Sequence, residues 1–281
     1  MFAKLFFQLF DFLLFSNLFI SLCATIISLQ TFHFFEHAPN IHYLSFVFGG
    51  TLCSYNFHGH LSKNQFANTP KLKWNIRFRN IQVLFMILGG ILAGFYFLQL
   101  KAFWPWLLFT ILLTFFYSAP LIEIPIFRNI KKLAVGKTAF LAISWTLITC
   151  MLTLLFIKNH WDITEKLYVF SRFFFIYAIS ILFDYRDKES DKLQGIISLV
   201  TQLPQNGIRF LFFSAILIST ISTTIMLNGF SAGYYFCFLL PIIILAAIFR
   251  FSIHTKSDYW YYFLLDGLMM LTGLLLIIFG F

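Results

Sequence analysis

Three aspartates at the end of a long apolar stretch are the residues best equipped for chemistry. Asp184, Asp187 and Asp191 lie in the run Phe183-Asp184-Tyr185-Arg186-Asp187-Lys188-Glu189-Ser190-Asp191-Lys192-Leu193-Gln194-Gly195. A spacing of i, i+3, i+7 puts all three on one face of a helix. Carboxylates held in that way repel one another, and a divalent cation between them relieves the repulsion. Mg2+ prefers carboxylate and phosphate oxygens and keeps part of its water shell, so such a set suits a Mg2+–diphosphate. The competing arrangement is a solvated helix end whose acids pair with Arg186, Lys188 and Lys192. Acids are scarce in this chain, with 11 Asp and Glu in 281 residues. Four of them fall between Asp184 and Asp191, which favours a functional cluster.

The elements that must position these residues are membrane spans. The chain is 60% hydrophobic and 11% charged, with 41 Phe, whereas a soluble domain is about 45–50% apolar and about 25% charged. Segments of about 17–25 apolar residues cross a bilayer as helices. Nine are expected, near 8–30, 43–57, 81–99, 103–119, 138–157, 167–184, 210–227, 234–249 and 259–280. They form one all-α membrane domain over 1–281, with the first helix retained as a span because its apolar run continues to Leu29 with no small-x-small cleavage site.

Alternating loops make the expected topology testable by charge. With a cytoplasmic N-terminus, the inner segments hold sixteen of the 20 Lys and Arg. The outer ones hold only Lys101, Lys158 and Lys166, and Arg172 lies within the sixth span. That is a positive-inside pattern. It accounts for the net charge of +9 without nucleic acid as a partner. The long connections 58–80, 120–137 and 185–208 all fall on the inner side, so chemistry is expected there.

Other polar residues carry less. His58 and His60 form an H-x-H pair whose rings point about 200° apart on a helix, with no third ligand in view, and read as interfacial histidines. Cys23, Cys53, Cys150 and Cys237 sit in apolar runs and read as small core residues. The basic stretch from Lys63 to Arg79 either binds anionic headgroups or captures a diphosphate. Two charges fall inside spans. Charges in a span point first to function, and for Arg172, near the outer end of the sixth span, the alternative is to snorkel to the outer surface. Asp266 lies about two turns from the inner end of the ninth span, within reach of a polar cavity or of a partner on another helix. Gly89, Gly90, Gly94, Gly267 and Gly273 suit close helix packing.

Taken together, three segments resemble the UbiA superfamily of intramembrane prenyltransferases. The Asp-x-x-Asp-x-x-x-Asp run followed by Gly195 is similar to that family's second aspartate-rich motif. Tyr117-Ser118-Ala119-Pro120, with Lys131-Lys132-Leu133-Ala134-Val135-Gly136, resembles its YSxP…LKxxxVG pattern. The third is Asn56-Phe57-His58-Gly59-His60-Leu61-Ser62-Lys63-Asn64, at the place of the first aspartate motif. There Asn56 is kept, but Phe57, His60 and Asn64 stand where the family has aspartates.

The resemblance implies a nine-helix bundle with a site at its cytoplasmic mouth. It implies Mg2+ on Asp184, Asp187 and Asp191, and diphosphate contacts from Asn56, His60, Tyr117, Lys131 and Lys132. The implied reaction moves a prenyl group from a prenyl diphosphate to an aromatic or other lipophilic acceptor in the membrane. The altered first motif leaves three possibilities: one Mg2+ held by the second motif, phosphate contacts from His60 and Lys63, or loss of catalysis. The expected setting is a prokaryotic inner membrane. The alternatives are a degenerate relative that binds or senses an isoprenoid lipid, and an unrelated small transporter. The latter is disfavoured because the polar cluster lies at one surface rather than at the midplane.

Overall fold

A computed structural model describes the backbone of residues 2–61, 69–118, 137–193 and 198–281, and their side chains except at 2–4 and 116–118. Among the described residues the chain is all-helical. The elements are α1 (Phe2–Phe15), α2 (Leu18–Phe34), α3 (Ile41–Leu61), α4 (Pro70–Arg77), α5 (Arg79–Gln99), α6 (Trp104–Ser118), α7 (Lys137–Thr146), α8 (Leu152–Ile157), α9 (Ile163–Leu193), α10 (Leu199–Gln202), α11 (Gln205–Met226), α12 (Ala232–Ser252) and α13 (Asp266–Phe279).

Every segment expected to span is helical, yet six helices are both long and apolar enough to do so alone among the described residues. They are Arg79–Gln99, Lys137–Ile157, Ile163–Leu193, Gln205–Met226, Ala232–Ser252 and Trp260–Phe279. The first expected span is instead a broken pair, α1 and α2, bent by 61°, and the fourth is a shorter apolar helix. The second, α3, has 21 residues, but His42, Asn56, His58 and His60 dilute its apolar character.

The α1–α2 break has a local cause. Asn17 sits in the left-handed region at φ 66°, a conformation that Asn tolerates better than most residues. The break strips Ser16 of a regular helical partner. Asn56 of α3 supplies one, donating from its amide to Ser16 O at 3.0 Å and to Leu52 O at 2.9 Å. Its oxygen accepts from Asn17 Nδ2 at 3.1 Å.

Two π-helical turns interrupt the bundle, at Leu147–Met151 between α7 and α8 and at Trp260–Leu265 leading into α13. A π turn widens the ring of hydrogen bonds from i→i+4 to i→i+5 and loosens the hold on nearby carbonyls. In the first turn, side chains collect them: Thr31 Oγ1 donates to Thr149 O at 2.9 Å, and the Tyr43 hydroxyl donates to Ile148 O. Arg172 does not snorkel but points into the core. Its guanidinium donates to Thr272 Oγ1 at 3.3 Å and lies 5.2 and 5.1 Å from the rings of Phe175 and Phe238. The packed rings take up part of the cation's desolvation cost.

α9 is the hub of the bundle, packing on α7, α10, α11, α12 and α13. α3 and α5 approach so closely that a Cβ on Gly49 would lie 2.8 Å from Gly89 O, and one on Gly89 would lie 2.7 Å from Gly49 O. The obstacle is backbone on both sides, so rotamer changes cannot make room. α5 is otherwise mostly exposed to its surroundings, so this contact holds it. Gly89→Ala is expected to lower stability by about 1–3 kcal/mol, the usual cost of overpacking. Thermal unfolding in detergent reads this out, and Gly94→Ala, with open space around its Cβ position, is the neutral control.

Candidate functional site

One cavity of about 270 Å³ runs into the middle of the bundle between α2, α3, α4, α6, α7, α9 and α13. Four helix ends meet at its mouth: the last turn of α3, the start of α7, the last turns of α9 and the approach to α13. The topology expected from the charge pattern would put all four on one side of the membrane. Along α9 the wall runs from Asp187 to Ile176, about 16 Å of helix rise. Its chemistry changes on the way, from Asp187, Arg186 and Asp184 through Phe183 and Ser180 to Ile179 and Ile176. The opposite wall runs from His58 and Gly59 through Ser54 to Thr51 and Gly50 on α3, and from Lys137 through Leu141 and Ser144 on α7 to Ile148 in the π turn, so it keeps hydroxyls along its length.

The three aspartates are held apart by protein cations. Asp184 is buried; it accepts from the Thr138 hydroxyl, and Lys137 Nζ lies 3.5 Å away. The same ammonium donates to Asp191 at 2.9 Å. Asp187 takes both its hydrogen bonds from one guanidinium, Arg186 Nε at 2.9 Å and Nη2 at 3.2 Å. Asp184 and Asp187 line the cavity, while Asp191 lies one turn further out and is buried. Among the described residues no three His, Cys, Asp or Glu side chains come close enough to share a metal ion. The like-charge repulsion anticipated from their spacing is relieved by Lys137 and Arg186 rather than by Lys188 and Lys192. Lys188 donates to Leu203 O instead.

Arg186 shapes the mouth. Its Nη2 also donates to the Tyr262 hydroxyl at 2.9 Å, and it lies over the rings of Tyr261, Tyr262 and Phe183 at 4.6 to 5.2 Å. Its buried Nη1 has no acceptor among the described residues. A buried guanidinium donor left over in this way is costly unless an anion meets it. Lys71 lies across the mouth, its ammonium 3.5 Å from the centre of the Tyr262 ring. α4 is aimed there by two caps: Thr69 Oγ1 accepts from Leu72 N, and Asp258 accepts from Lys71 N at 2.7 Å. On the α3–α7 side, Trp145 donates to Tyr55 OH at 3.0 Å, closing the wall between them.

The remaining expected residues fall elsewhere. The Asn56 amide is committed to Ser16, Leu52 and Asn17 as described, and the residue does not line the cavity. His60 also lies off the cavity, with Nε2 3.4 Å from Arg79 Nη2. The Tyr117 side chain, Lys131 and Lys132 lie outside the described residues, as do Lys63, Asn64 and Gly195. Two cavity cations, Lys71 and Lys137, had no individual role from sequence, and His58, read as interfacial, lines the cavity as well. The basic stretch containing Lys71 was the one available signal. No protein-family model, no curated protein and no solved structure matches the chain.

Proposed function

We propose that the chain is a UbiA-like intramembrane prenyltransferase, with nine crossings, a cytoplasmic N-terminus and its site at the cytoplasmic face of a prokaryotic inner membrane. One observation carries this reading: a single cavity opens at a charged mouth and becomes apolar within about 16 Å along α9. That profile fits an amphiphile with an anionic head and a hydrocarbon tail. In this reading the nine crossings are the α1–α2 pair, α3, α5, α6, α7–α8, α9, α11, α12 and α13, so α3 and α6 complete the six plainly apolar spans and the broken pair.

The wall residues take roles that follow from their chemistry. Lys71, Lys137 and Nη1 of Arg186 bind the diphosphate oxygens, because among the described residues these are the cationic donors facing the mouth. Ile176, Ile179, Leu141 and Met269 receive the prenyl chain. Asp184 and Asp187 fit a magnesium ion whose remaining ligands are phosphate oxygens and water, since Mg2+ is commonly held by one or two carboxylates together with substrate phosphates. When bound, it neutralises charge that grows on the departing diphosphate. The role of Asp191 is then to fix Lys137, not to touch the ion.

The engagement of all three aspartates by protein cations also favours a second reading, a relative that binds an isoprenoid diphosphate without turning it over. The two part in one measurement. Purified protein in nanodiscs, given geranylgeranyl diphosphate and a set of aromatic acceptors, should bind the diphosphate in both cases but release inorganic diphosphate only as a transferase. If geranylgeraniol binds as tightly as its diphosphate, the anionic mouth has no role and both readings fall. The topology has its own test: cysteines placed at Asn68 and Gln202 should be labelled from the cytoplasmic side together.

A further inference from the structure

The proposed donor chemistry uses the mouth and the apolar walls but leaves one ionisable group in the cavity without an assignment. Asp266 lines the cavity on α13 and is 6% exposed. It stands one helical turn deeper than Tyr262, whose hydroxyl meets Arg186 at the mouth. Among the described residues no hydrogen bond or ion pair reaches its carboxyl group. The cations sharing the cavity wall are engaged elsewhere: Lys137 with Asp184 and Asp191, Arg186 with Asp187, and Lys71 over the Tyr262 ring. A carboxyl group in an apolar span costs at least about 2.5–3.5 kcal/mol, and a structural role would show a protein partner here. Met269 and Ala24 line the cavity with it, while Asn17, Tyr55, Lys71 and Tyr262 border a small side pocket that it shares, so what approaches it meets apolar walls with a polar rim.

We propose that Asp266 anchors the second substrate, an uncharged apolar molecule whose O–H or N–H donates a hydrogen bond to this carboxyl group. The inference rests on the prenyl-transfer reading for calling that molecule the acceptor. The chemistry of recognition is independent of it. In its ionised form a carboxyl group at this depth selects for a hydrogen-bond donor, is indifferent to an ether, and repels an anion. Tyr262, within the π turn Trp260–Leu265, and Asp266, four residues on, both face the cavity.

Three naphthalene probes of one shape test this in nanodiscs. 2-Naphthol donates, 2-methoxynaphthalene cannot, and 2-naphthoate carries a negative charge. At a pH high enough to ionise the carboxyl group, a hydrogen bond to the charged form is worth about 1.5–3 kcal/mol, so the wild type should bind naphthol about ten-fold or more tighter than the ether. It should bind naphthoate more weakly than naphthol. In Asp266→Asn the amide can donate as well as accept, so the preference over the ether should largely disappear and naphthoate should gain. Asp266→Leu should remove the preference altogether. If Asp266→Leu does not fold, the wild type and the near-isosteric Asp266→Asn still decide the matter. Equal binding of naphthol and ether by the wild type overturns the proposal, as does an unchanged preference in Asp266→Asn. Geranylgeranyl diphosphate is titrated in parallel. Its failure to bind the wild type would remove the prenyl-transfer reading, whereas the naphthol preference judges Asp266 alone.

Discussion

Lys137→Met is expected to be the most destabilising single change at the site, costing about 3 kcal/mol. One ammonium serves two buried carboxylates, Asp184 at 3.5 Å and Asp191 at 2.9 Å. Removing one partner of a buried pair leaves an uncompensated charge, which costs about 3–5 kcal/mol. The low end applies because the Lys137 side chain is itself 21% exposed. Asp184 also keeps the Thr138 hydroxyl, whereas Asp191 keeps no other partner among the described residues. Adding Asp191→Asn to Lys137→Met should therefore recover a large part of the loss. Denaturation in detergent without ligand measures both variants. A loss below about 0.5 kcal/mol would mean that the pairs behave as exposed ones do, and the carboxylates would then be free for other duties.

The second large effect is on coupling between metal and diphosphate. Two carboxylates on the cavity wall supply too few ligands for Mg2+ alone, and phosphate oxygens supply the rest. Mg2+ should bind weakly by itself, and each ligand should strengthen the other by the same factor, about 5–150-fold for ordinary coupling energies. Asp187→Asn should bring that factor to about one, because Asp187 is the cavity carboxylate more open to a ligand, its side chain being 39% exposed. His60→Ala should leave diphosphate binding nearly unchanged, since His60 lies off the cavity. Calorimetry of geranylgeranyl diphosphate with and without Mg2+ provides the four constants. Equal affinity in the two conditions for the wild type would exclude Mg2+-dependent transfer and leave the binding-only reading. The Asp187→Asn variant also strands Arg186, so the protein's stability must be measured beside it.

Local pattern made part of this site legible. Asp184 and Asp187 declared themselves by helical spacing in an acid-poor chain, and Asp266 by being charged inside a span. Lys137 did not, because its partners lie about fifty residues away along the chain and spacing carries no information across that gap. Asn56 shows the opposite failure. It stands where the resembling motif begins, yet a left-handed Asn17 on another helix exposes Ser16 O beside it and claims the amide. The Ser16-Asn17 pair is a local mark of that break, but within 8–30 it is outweighed by the apolar residues around it, so the run reads as one span. Arg172 misled for a related reason: hydropathy gives depth along a helix but not the face that a side chain takes, and here that face holds Phe175, Phe238 and Thr272.

The π turn at Trp260–Leu265 has a bearing on how such a protein can change. A wide turn holds one residue more than a regular helix fits into the same rise, so the segment carries a removable residue. The Gly273 contact with Ile26 and Gln30 of α2 clamps the helix beyond it. Deleting one residue from 260–265 would therefore be absorbed upstream. Tyr262, inside the turn, would shift against Arg186 while Asp266 stayed in place. The two ends of the cavity can thus be retuned separately by insertion and deletion, a route that ordinary substitution does not offer.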